Sequence, residues 1–217
     1  MILACIFDLD GVVVDTAKYH YLAWKRLAKE LGFEFTEVHN ERLKGVSRMR
    51  SLEILLEVGG LSFSMDKMEK MAARKNEWYL EYILKMTPEE ILPGAKELLE
   101  ELRMHNIKLA LGSASKNAPV ILDRIGITGH FDKILDGNTV TAAKPAPDIF
   151  LTAAKALDVD PEFCVVFEDA EAGIDAAVSA GMRCIGIGNP DILSKANIVV
   201  PNLKHFTYKN LIESLNK

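Results

Sequence analysis

Five short apolar runs, separated by helical patterns, constrain the fold of this chain more than any other feature. The runs are continuous rather than alternating, which is typical of strands that are covered on both faces. The runs are "ILACIF" (2–7), "IKLALG" (107–112), "CVVFE" (164–168), "RCIGIG" (183–188) and "NIVV" (197–200), and the helical patterns fall at 94–106, 117–127, 147–159 and 171–181. This alternation predicts an α/β fold built on a doubly wound parallel sheet.

The segment from Thr16 to about Met86 interrupts this alternation, because it contains only helical patterns. Ser47 is a plausible N-cap for one of its helices, and a long helical pattern starts at Ser64. An insert of roughly 70 residues is large enough to form a domain of its own. The sequence therefore predicts an α/β core at residues 1–14 and 92–217 and a helical domain at 15–91, joined by linkers near 12–16 and 86–93.

Composition narrows the class of protein. Apolar residues make up 49% of the chain and charged residues 26%, which is typical of a packed globular protein. The net charge of −5 argues against general nucleic-acid binding, which favours a basic surface. An anionic substrate is still compatible with this charge, because a site can be locally positive inside an acidic protein.

The cysteines and the apolar runs bear on the cellular compartment. The chain has three cysteines, Cys5, Cys164 and Cys184, all in predicted strands and with no zinc-ligand spacing, so we interpret them as buried hydrophobic residues. The first apolar run ends at Asp8, too early for a signal peptide, and no run approaches a transmembrane length. We therefore expect a cytoplasmic protein that does not bind membranes, and we expect it to be a monomer.

Polar side chains follow several of the predicted strands. Asp8 and Asp10 come after the first run, Ser113 after the second, and Glu168 and Asp169 after "CVVF". Ligands of doubly wound sheets bind at the carboxyl ends of the strands, so these residues share one site if their strands are neighbours. Acids at strand ends also commonly cap helices or face water, and for any single residue this is the simpler interpretation.

Taken together, these acids predict phosphoryl chemistry. Several carboxylates with few other donors suit Mg²⁺, which completes its shell with water and phosphate oxygens. Lys144 in "TAAKPAP" can offset the charge of a transferring phosphoryl group, and Ser113 can donate a hydrogen bond to it. One carboxylate can act as a nucleophile and form an aspartyl phosphate, while a second transfers a proton.

Four motifs resemble those of the haloacid dehalogenase-like phosphotransferases, in their usual order. They are "FDLDGVVVDT" (7–16), "GSAS" (112–115), "KPAPDIF" (144–150) and "FEDAEAGIDAAVSAG" (167–181). The resemblance implies that Asp8 is the nucleophile and Asp10 the general acid and base, with Ser113 and Lys144 holding the transferring phosphate. It also implies Mg²⁺ bound by Asp8, the backbone carbonyl of Asp10, Asp169 and Glu168, the last directly or through water. The helical insert corresponds to the cap domain of that superfamily.

Residues of the insert suggest where a substrate binds. Lys44 and Arg48 flank Gly45 just before a helix, which is either a phosphate grip or an exposed basic turn. Lys75 lies in phase with an apolar stripe, so it either extends to the surface or faces something anionic in the cleft. His20 shares a helix face with Trp24, and is either a core histidine or a residue of the cleft.

The stretches 15–32, 43–48, 74–79 and 113–119 resemble the β-phosphoglucomutase family. That resemblance implies interconversion of β-glucose 1-phosphate and glucose 6-phosphate through an aspartyl-phosphate enzyme and a hexose 1,6-bisphosphate. The implied contacts to the non-transferring phosphate are Arg48, Ser115, Lys116 and Asn117. The implied contacts to the sugar or to its closing loop are His20, Trp24, Lys44, Gly45, Val46, Ser47, Ser51 and Lys75.

Two alternatives remain at this point. A sugar-phosphate phosphatase would use the same chemistry but end its cycle with water. A non-catalytic sugar-phosphate-binding regulator could share the fold, although the complete set of Asp8, Asp10, Lys144 and Asp169 argues against it.

Overall fold

A six-stranded parallel sheet lies at the centre of the computed structural model, which describes residues 1–43 and 46–215. Its strands are β1 (Ala4–Phe7), β2 (Lys108–Gly112), β3 (Lys133–Leu135), β4 (Cys164–Glu168), β5 (Arg183–Ile187) and β6 (Ile198–Val200). Their order is β3-β2-β1-β4-β5-β6, and every neighbouring pair is parallel. This is the doubly wound order in which the chain reverses direction beside β1, so the predicted fold class is confirmed.

The sheet contains one strand that the sequence pattern does not predict. β3 has only three residues and lies at the edge of the sheet, paired with β2 alone. Only its last residue, Leu135, is buried, so no continuous apolar run marks it. An edge strand of this length carries too little pattern to be distinguished from a loop.

Helices cover both faces of the sheet. Side chains alternate along β1, so that Cys5 and Phe7 join one apolar core while Ala4 and Ile6 join another. The first core contains α5 (Ala95–Met104), α6 (Ala118–Arg124) and α9 (Tyr208–Leu215); the second contains α7 (Asp148–Leu157) and α8 (Glu171–Ser179). The predicted helices of this region are confirmed, with ends that differ by a few residues, whereas α9 is not predicted.

The described residues of the insert form four α-helices: α1 (Ala17–Glu30), α2 (Glu37–Glu41), α3 (Arg48–Gly59) and α4 (Met65–Ile83). α4 packs against both α1 and α3. The predicted cap of α3 is confirmed, because the Ser47 side chain accepts a hydrogen bond from the Arg50 backbone N–H at 3.3 Å. α2 has five residues, too few for a recognisable pattern, and the sequence does not predict it.

The two connections between the insert and the sheet lie side by side. The backbone N–H of Leu92 donates to the carbonyl of Val13 at 2.9 Å, and Val14 forms an antiparallel bridge with Ile91. The chain therefore leaves and re-enters the sheet region through a paired double connection. Among the described helices, none is both long and apolar enough to span a bilayer.

Candidate active site

The strand order brings the acidic strand ends to one edge of the sheet. β1 lies between β2 and β4, and the backbone N–H of Asp8 extends the β4 pairing by donating to the Phe167 carbonyl at 2.9 Å. Ser113 follows β2 directly, and Glu168 is the last residue of β4. Because carboxyl ends of neighbouring parallel strands meet at the same edge, these side chains surround the end of β1.

Lys144 forms the electrostatic centre of this edge. Its ammonium lies 2.5 Å from Asp8 Oδ1 and 2.6 Å from Glu168 Oε1, and all three side chains are buried. Burial alone lowers the pKa of Lys144, but the Asp8 and Glu168 carboxylates outweigh it and raise that pKa above its ordinary value. The lysine therefore stays charged and neutralises part of the negative charge of the cluster.

Two glycines let the acids of β4 approach the backbone. Glu168 accepts a hydrogen bond from the Ala170 N–H at 2.8 Å, and a Cβ on Gly173 would overlap its carboxylate. Gly11 has a φ of 80°, and a Cβ there would overlap the carboxylate of Asp169. Asp169 thus lies directly against the turn that follows Asp10.

Asp10 lies beside this cluster and is half-buried. The Thr16 hydroxyl donates a hydrogen bond to Asp10 Oδ1. Desolvation, and then the neighbouring charge of Asp8, raise the pKa of Asp10 to about 7. An acid with such a pKa both accepts and releases protons readily at neutral pH.

Lys75 of the insert lies in contact with His20 and Trp24. Lys75 is only 2% exposed, and its ammonium lies 2.7 Å from His20 Nδ1 and 4.5 Å from the centre of the Trp24 ring. Of the two alternatives for Lys75, extension to the surface is therefore wrong. Desolvation and then the charge of Arg48 hold the pKa of Lys75 well below its usual range, whereas Asp10 opposes this shift.

His20 and Arg48 belong to the same group. Desolvation of the ring, followed by the charges of Lys75 and Arg48, holds the pKa of His20 well below its ordinary value. Desolvation also lowers the pKa of the half-buried Arg48. Within residues 1–43 and 46–215, neither Arg48 nor Lys75 has an acidic ion-pair partner. Two cations without an acidic partner make this part of the cleft suitable for an anion.

The loop after β2 connects the two sides of the cleft. The Ser115 N–H donates to Ser113 Oγ at 3.1 Å, and the Asn117 N–H donates to Ser115 Oγ at 3.3 Å. The Asn117 side-chain amide donates to Asn76 Oδ1 on α4 at 2.9 Å, while Lys116 is exposed. The loop thus holds polar groups between Asp8 and the insert.

The remaining predicted contacts are distributed around the start of α3. Ser51 is buried inside this helix, Val46 is half-buried, and Ser47 is engaged as its cap. Lys44 and Gly45 lie outside the described residues, so their predicted roles stay predictions.

The sequence analysis does not single out three residues that lie in the cleft: Thr16, Asn76 and Tyr79. Thr16 and Tyr79 are both fully buried, and the Tyr79 hydroxyl donates to Thr16 Oγ1 at 3.2 Å. The available signal is helical spacing, because Tyr79 follows Lys75 by four positions and therefore shares its face. This spacing points to the cleft only once Lys75 is known to be buried there, because apolar stripes of ordinary helices have the same spacing.

The donor set at the strand ends is composed of oxygen atoms, which favours a hard divalent cation. Among the described residues, no three histidine, cysteine or acidic side chains converge closely enough to hold a metal by themselves. A cation bound beside Asp8 and Asp169 would therefore complete its shell with backbone, water or substrate oxygens. The residues present fit an ion that the protein coordinates only in part. They do not fit a site in which side chains supply every ligand.

Replacing Lys144 with methionine should lower the free energy of unfolding by about 3 kcal/mol, because it leaves two buried carboxylates without their cation. The deficit should grow as the pH rises, because desolvation holds the pKa of Glu168 above its unfolded value, so that the folded variant must lose an extra proton. Denaturant unfolding in the presence of a chelator, measured between pH 5 and pH 8, provides this comparison.

Lys195→Met is the matched control, because it breaks an exposed ion pair of 2.7 Å with Asp175. We expect this exposed pair, which solvent screens, to contribute far less to stability than the buried Lys144 cluster. Equal, pH-independent losses in the two variants would show that the Lys144 cluster is not an electrostatic unit.

Comparison with known proteins agrees with this geometry. A family model described as haloacid dehalogenase-like hydrolase matches residues 2–181. The β-phosphoglucomutase of Bacillus subtilis is 48% identical over 212 residues, covering 97% of this chain and 94% of that protein. A phosphorylated carbohydrates phosphatase of Thermotoga maritima is 34% identical over 184 residues, covering 84% of this chain and 83% of that protein.

Among solved structures, the crystal structure of β-phosphoglucomutase from Clostridium difficile superimposes with a TM-score of 0.95. The two chains are 46% identical, and the match covers 100% of this chain and 98% of that one. The resemblance drawn from the sequence motifs is confirmed. The chain therefore belongs to the haloacid dehalogenase-like hydrolase family and, within it, to the β-phosphoglucomutase family.

Proposed function

We propose that this protein interconverts β-glucose 1-phosphate and glucose 6-phosphate through a phosphorylated Asp8 and a hexose 1,6-bisphosphate. One observation carries the choice of reaction: the cleft has two separate places for an anion. One lies at Asp8 and Lys144, and the other lies at Arg48, which has no acidic ion-pair partner among the described residues. A bisphosphate requires both.

In the first half of the cycle, the phosphoryl group on Asp8 passes to the free hydroxyl of a bound hexose phosphate. Asp10 accepts the proton of that hydroxyl as the new P–O bond forms and the Asp8–phosphate bond breaks. Ser113 and Lys144 stabilise the charge that spreads over the transferring group. Arg48, Ser115, Lys116 and Asn117 hold the other phosphate.

In the second half, the bisphosphate turns around and presents its other phosphate to Asp8. The Asp8 carboxylate attacks that phosphorus, and Asp10 returns its proton to the departing sugar oxygen. Protons and phosphoryl groups therefore balance over one cycle, and no net hydrolysis occurs. His20, Trp24 and Lys75, together with Lys44, Gly45, Val46, Ser47 and Ser51, would line the sugar pocket or its closing loop.

We assign the divalent cation as Mg²⁺, held by Asp8, the backbone carbonyl of Asp10 and Asp169, with Glu168 contributing directly or through water. The ion neutralises the oxygens of the transferring phosphoryl group when it is bound. The close contact between the Asp169 carboxylate and Gly11, which follows Asp10, supports these ligands. The all-oxygen donor set with few protein side chains also suits the size and hydration of Mg²⁺.

The insert, residues 15–91, is proposed to act as a cap that closes over the sugar and excludes water. Exclusion of water matters because the aspartyl phosphate would otherwise be hydrolysed. The hydrogen bond between Asn76 and Asn117, which joins the insert to the loop after β2, supports this arrangement. We further propose that the protein acts as a monomer in the cytoplasm on a small phosphorylated sugar.

A sugar-phosphate phosphatase is the second candidate, favoured by the similarity to the Thermotoga maritima phosphatase. It would use the same Asp8, but water would take the phosphoryl group. The cations opposite Asp8 argue for the mutase, because hydrolysis does not require the substrate to be held by its second phosphate.

Phosphorus NMR separates the two reactions. The protein is incubated with a panel of hexose 1-phosphates and a trace of the matching 1,6-bisphosphate, with and without Mg²⁺. The mutase predicts hexose 6-phosphate as the main product, only in the presence of the ion. Release of inorganic phosphate at a rate equal to isomerisation would establish the phosphatase instead.

Lys75→Met should lower kcat/KM by about 10- to 100-fold, which is the loss expected when a hydrogen bond from a charged group to the substrate is removed. Its free energy of unfolding should stay close to the original value or rise, because the variant removes a buried ammonium that has no carboxylate partner in the described part of the chain. Steady-state kinetics and denaturant unfolding measure the two quantities.

Lys70→Met serves as the control on the same helix, since Lys70 is exposed and paired with Asp66 at 2.8 Å. It should leave turnover unchanged. A loss of several kcal/mol in Lys75→Met with normal kinetics would instead assign Lys75 to packing.

A further inference from the structure

Tyr79 joins the insert to the acid at the strand end through a chain of two hydrogen bonds. Its hydroxyl donates to Thr16 Oγ1 at 3.2 Å, and the Thr16 hydroxyl donates in turn to Asp10 Oδ1. Tyr79 and Thr16 are each 0% exposed, so water does not compete for these bonds. Asp10 Oδ2 accepts no hydrogen bond from the described residues and is therefore available for proton transfer.

The Tyr79 ring is fixed independently of its hydroxyl. It stacks on the His20 ring with centroids 4.0 Å apart and an interplanar angle of 26°. The Lys75 ammonium lies 4.7 Å from the centre of the Tyr79 ring. Because these contacts involve only the ring, removing the hydroxyl should leave the side chain in place.

The Tyr79 hydroxyl lies where three segments of the chain meet. Tyr79 belongs to α4, Thr16 to the first linker, and Asp10, at the end of the two hydrogen bonds, to the turn after β1. Desolvation and the Asp10 carboxylate raise the pKa of Tyr79 well above its ordinary value, so the phenol stays protonated and remains a donor. The two hydrogen bonds thus connect α4, through the first linker, to the acid that follows β1.

We propose that Tyr79 is a positioning residue, whose hydroxyl holds Asp10 through Thr16 in the orientation needed to exchange a proton with the sugar hydroxyl when the insert is closed. This role rests on the proposed function. It differs from simple satisfaction of a buried hydroxyl, because it requires the Tyr79 and Thr16 bonds to act in series on one carboxylate. Two bonds in series make a specific prediction for a double variant.

Tyr79→Phe should lower kcat about tenfold, the size of one net hydrogen bond, and change KM less than twofold. Thr16→Val, which cuts the chain next to Asp10, should lower kcat at least as much. The double variant should be no slower than Thr16→Val alone, because the Tyr79 bond has no effect once Thr16 is removed. Tyr82→Phe, on the same helix, makes the same chemical change away from Asp10 and should match the unaltered protein.

The outcomes distinguish failure of the positioning role of Tyr79 from failure of the proposed isomerase function. If the unaltered protein shows no isomerase turnover, the proposed function fails. If it turns over and Tyr79→Phe has the same kcat, the positioning role alone fails. Independent, multiplying losses in the double variant, or a fall in unfolding temperature with kcat unchanged, would likewise assign Tyr79 to packing rather than to positioning.

Discussion

Asp8→Asn should reduce isomerase turnover on the order of 10⁶-fold, as removal of a covalent nucleophile does in other enzymes. The amide that replaces the carboxylate cannot form the acyl phosphate through which both halves of the proposed cycle pass. The Glu168 carboxylate of the same buried cluster cannot replace Asp8 as the nucleophile, because it is already bound to Lys144 at 2.6 Å. Coupled assay of glucose 6-phosphate formation gives the rate directly.

The same substitution should not unfold the protein, which separates loss of chemistry from loss of structure. Lys144 contacts two buried carboxylates, Asp8 and Glu168. Neutralising Asp8 leaves one cation with one anion, so the unfolding temperature measured with a chelator present should be unchanged or higher. A well-folded Asp8→Asn variant that keeps more than a hundredth of the original turnover would contradict the nucleophile assignment.

Asp10→Ala should lower phosphoryl transfer to the sugar by about 10²- to 10⁴-fold, the usual contribution of general acid–base catalysis. The reason is local, since Asp10 is the half-buried acid beside Asp8 and is oriented by Thr16. The fold should be retained, because the Asp10 side chain is not part of either apolar core. Single-turnover transfer from the phosphorylated enzyme to a hexose phosphate measures the step in which Asp10 takes part.

Asp15→Asn provides the matched control for Asp10→Ala. Asp15 belongs to the same motif but is exposed, and its side chain accepts a hydrogen bond from the Ala17 N–H at 3.0 Å, which asparagine can also accept. It should keep near-normal rates. Similar losses in both variants would remove Asp10 from the mechanism and indicate a general effect of charge on the linker.

Most of the sheet can be predicted from the sequence because buried parallel strands leave continuous apolar runs. The exception is β3, which has one buried residue and lies at the edge, where little apolar surface is required. The helix α2 is missed for a similar reason, because five residues are too few to show a helical period in the sequence. The strand order itself is a non-local property that no single run encodes.

The candidate site divides in a similar way. The acids at Asp8, Asp10 and Glu168 could be predicted because a polar residue at the end of an apolar run is conspicuous. The pairing of Lys144 with Asp8 and Glu168 could not, since it depends on a loop that crosses to β1 and β4. Tyr79 is missed for a further reason: a tyrosine in an apolar stripe carries no local mark that its hydroxyl reaches the first linker.

Phosphate mapping tests the central claim most directly. The protein is incubated with a hexose 1,6-bisphosphate and Mg²⁺, quenched in acid during turnover, and digested for mass spectrometry. The proposed mechanism predicts a single phosphate on the side chain of Asp8, formed at the rate of turnover and absent from Asp8→Asn. Sustained isomerisation with Asp8 unmodified, or with the phosphate on another residue, would contradict it.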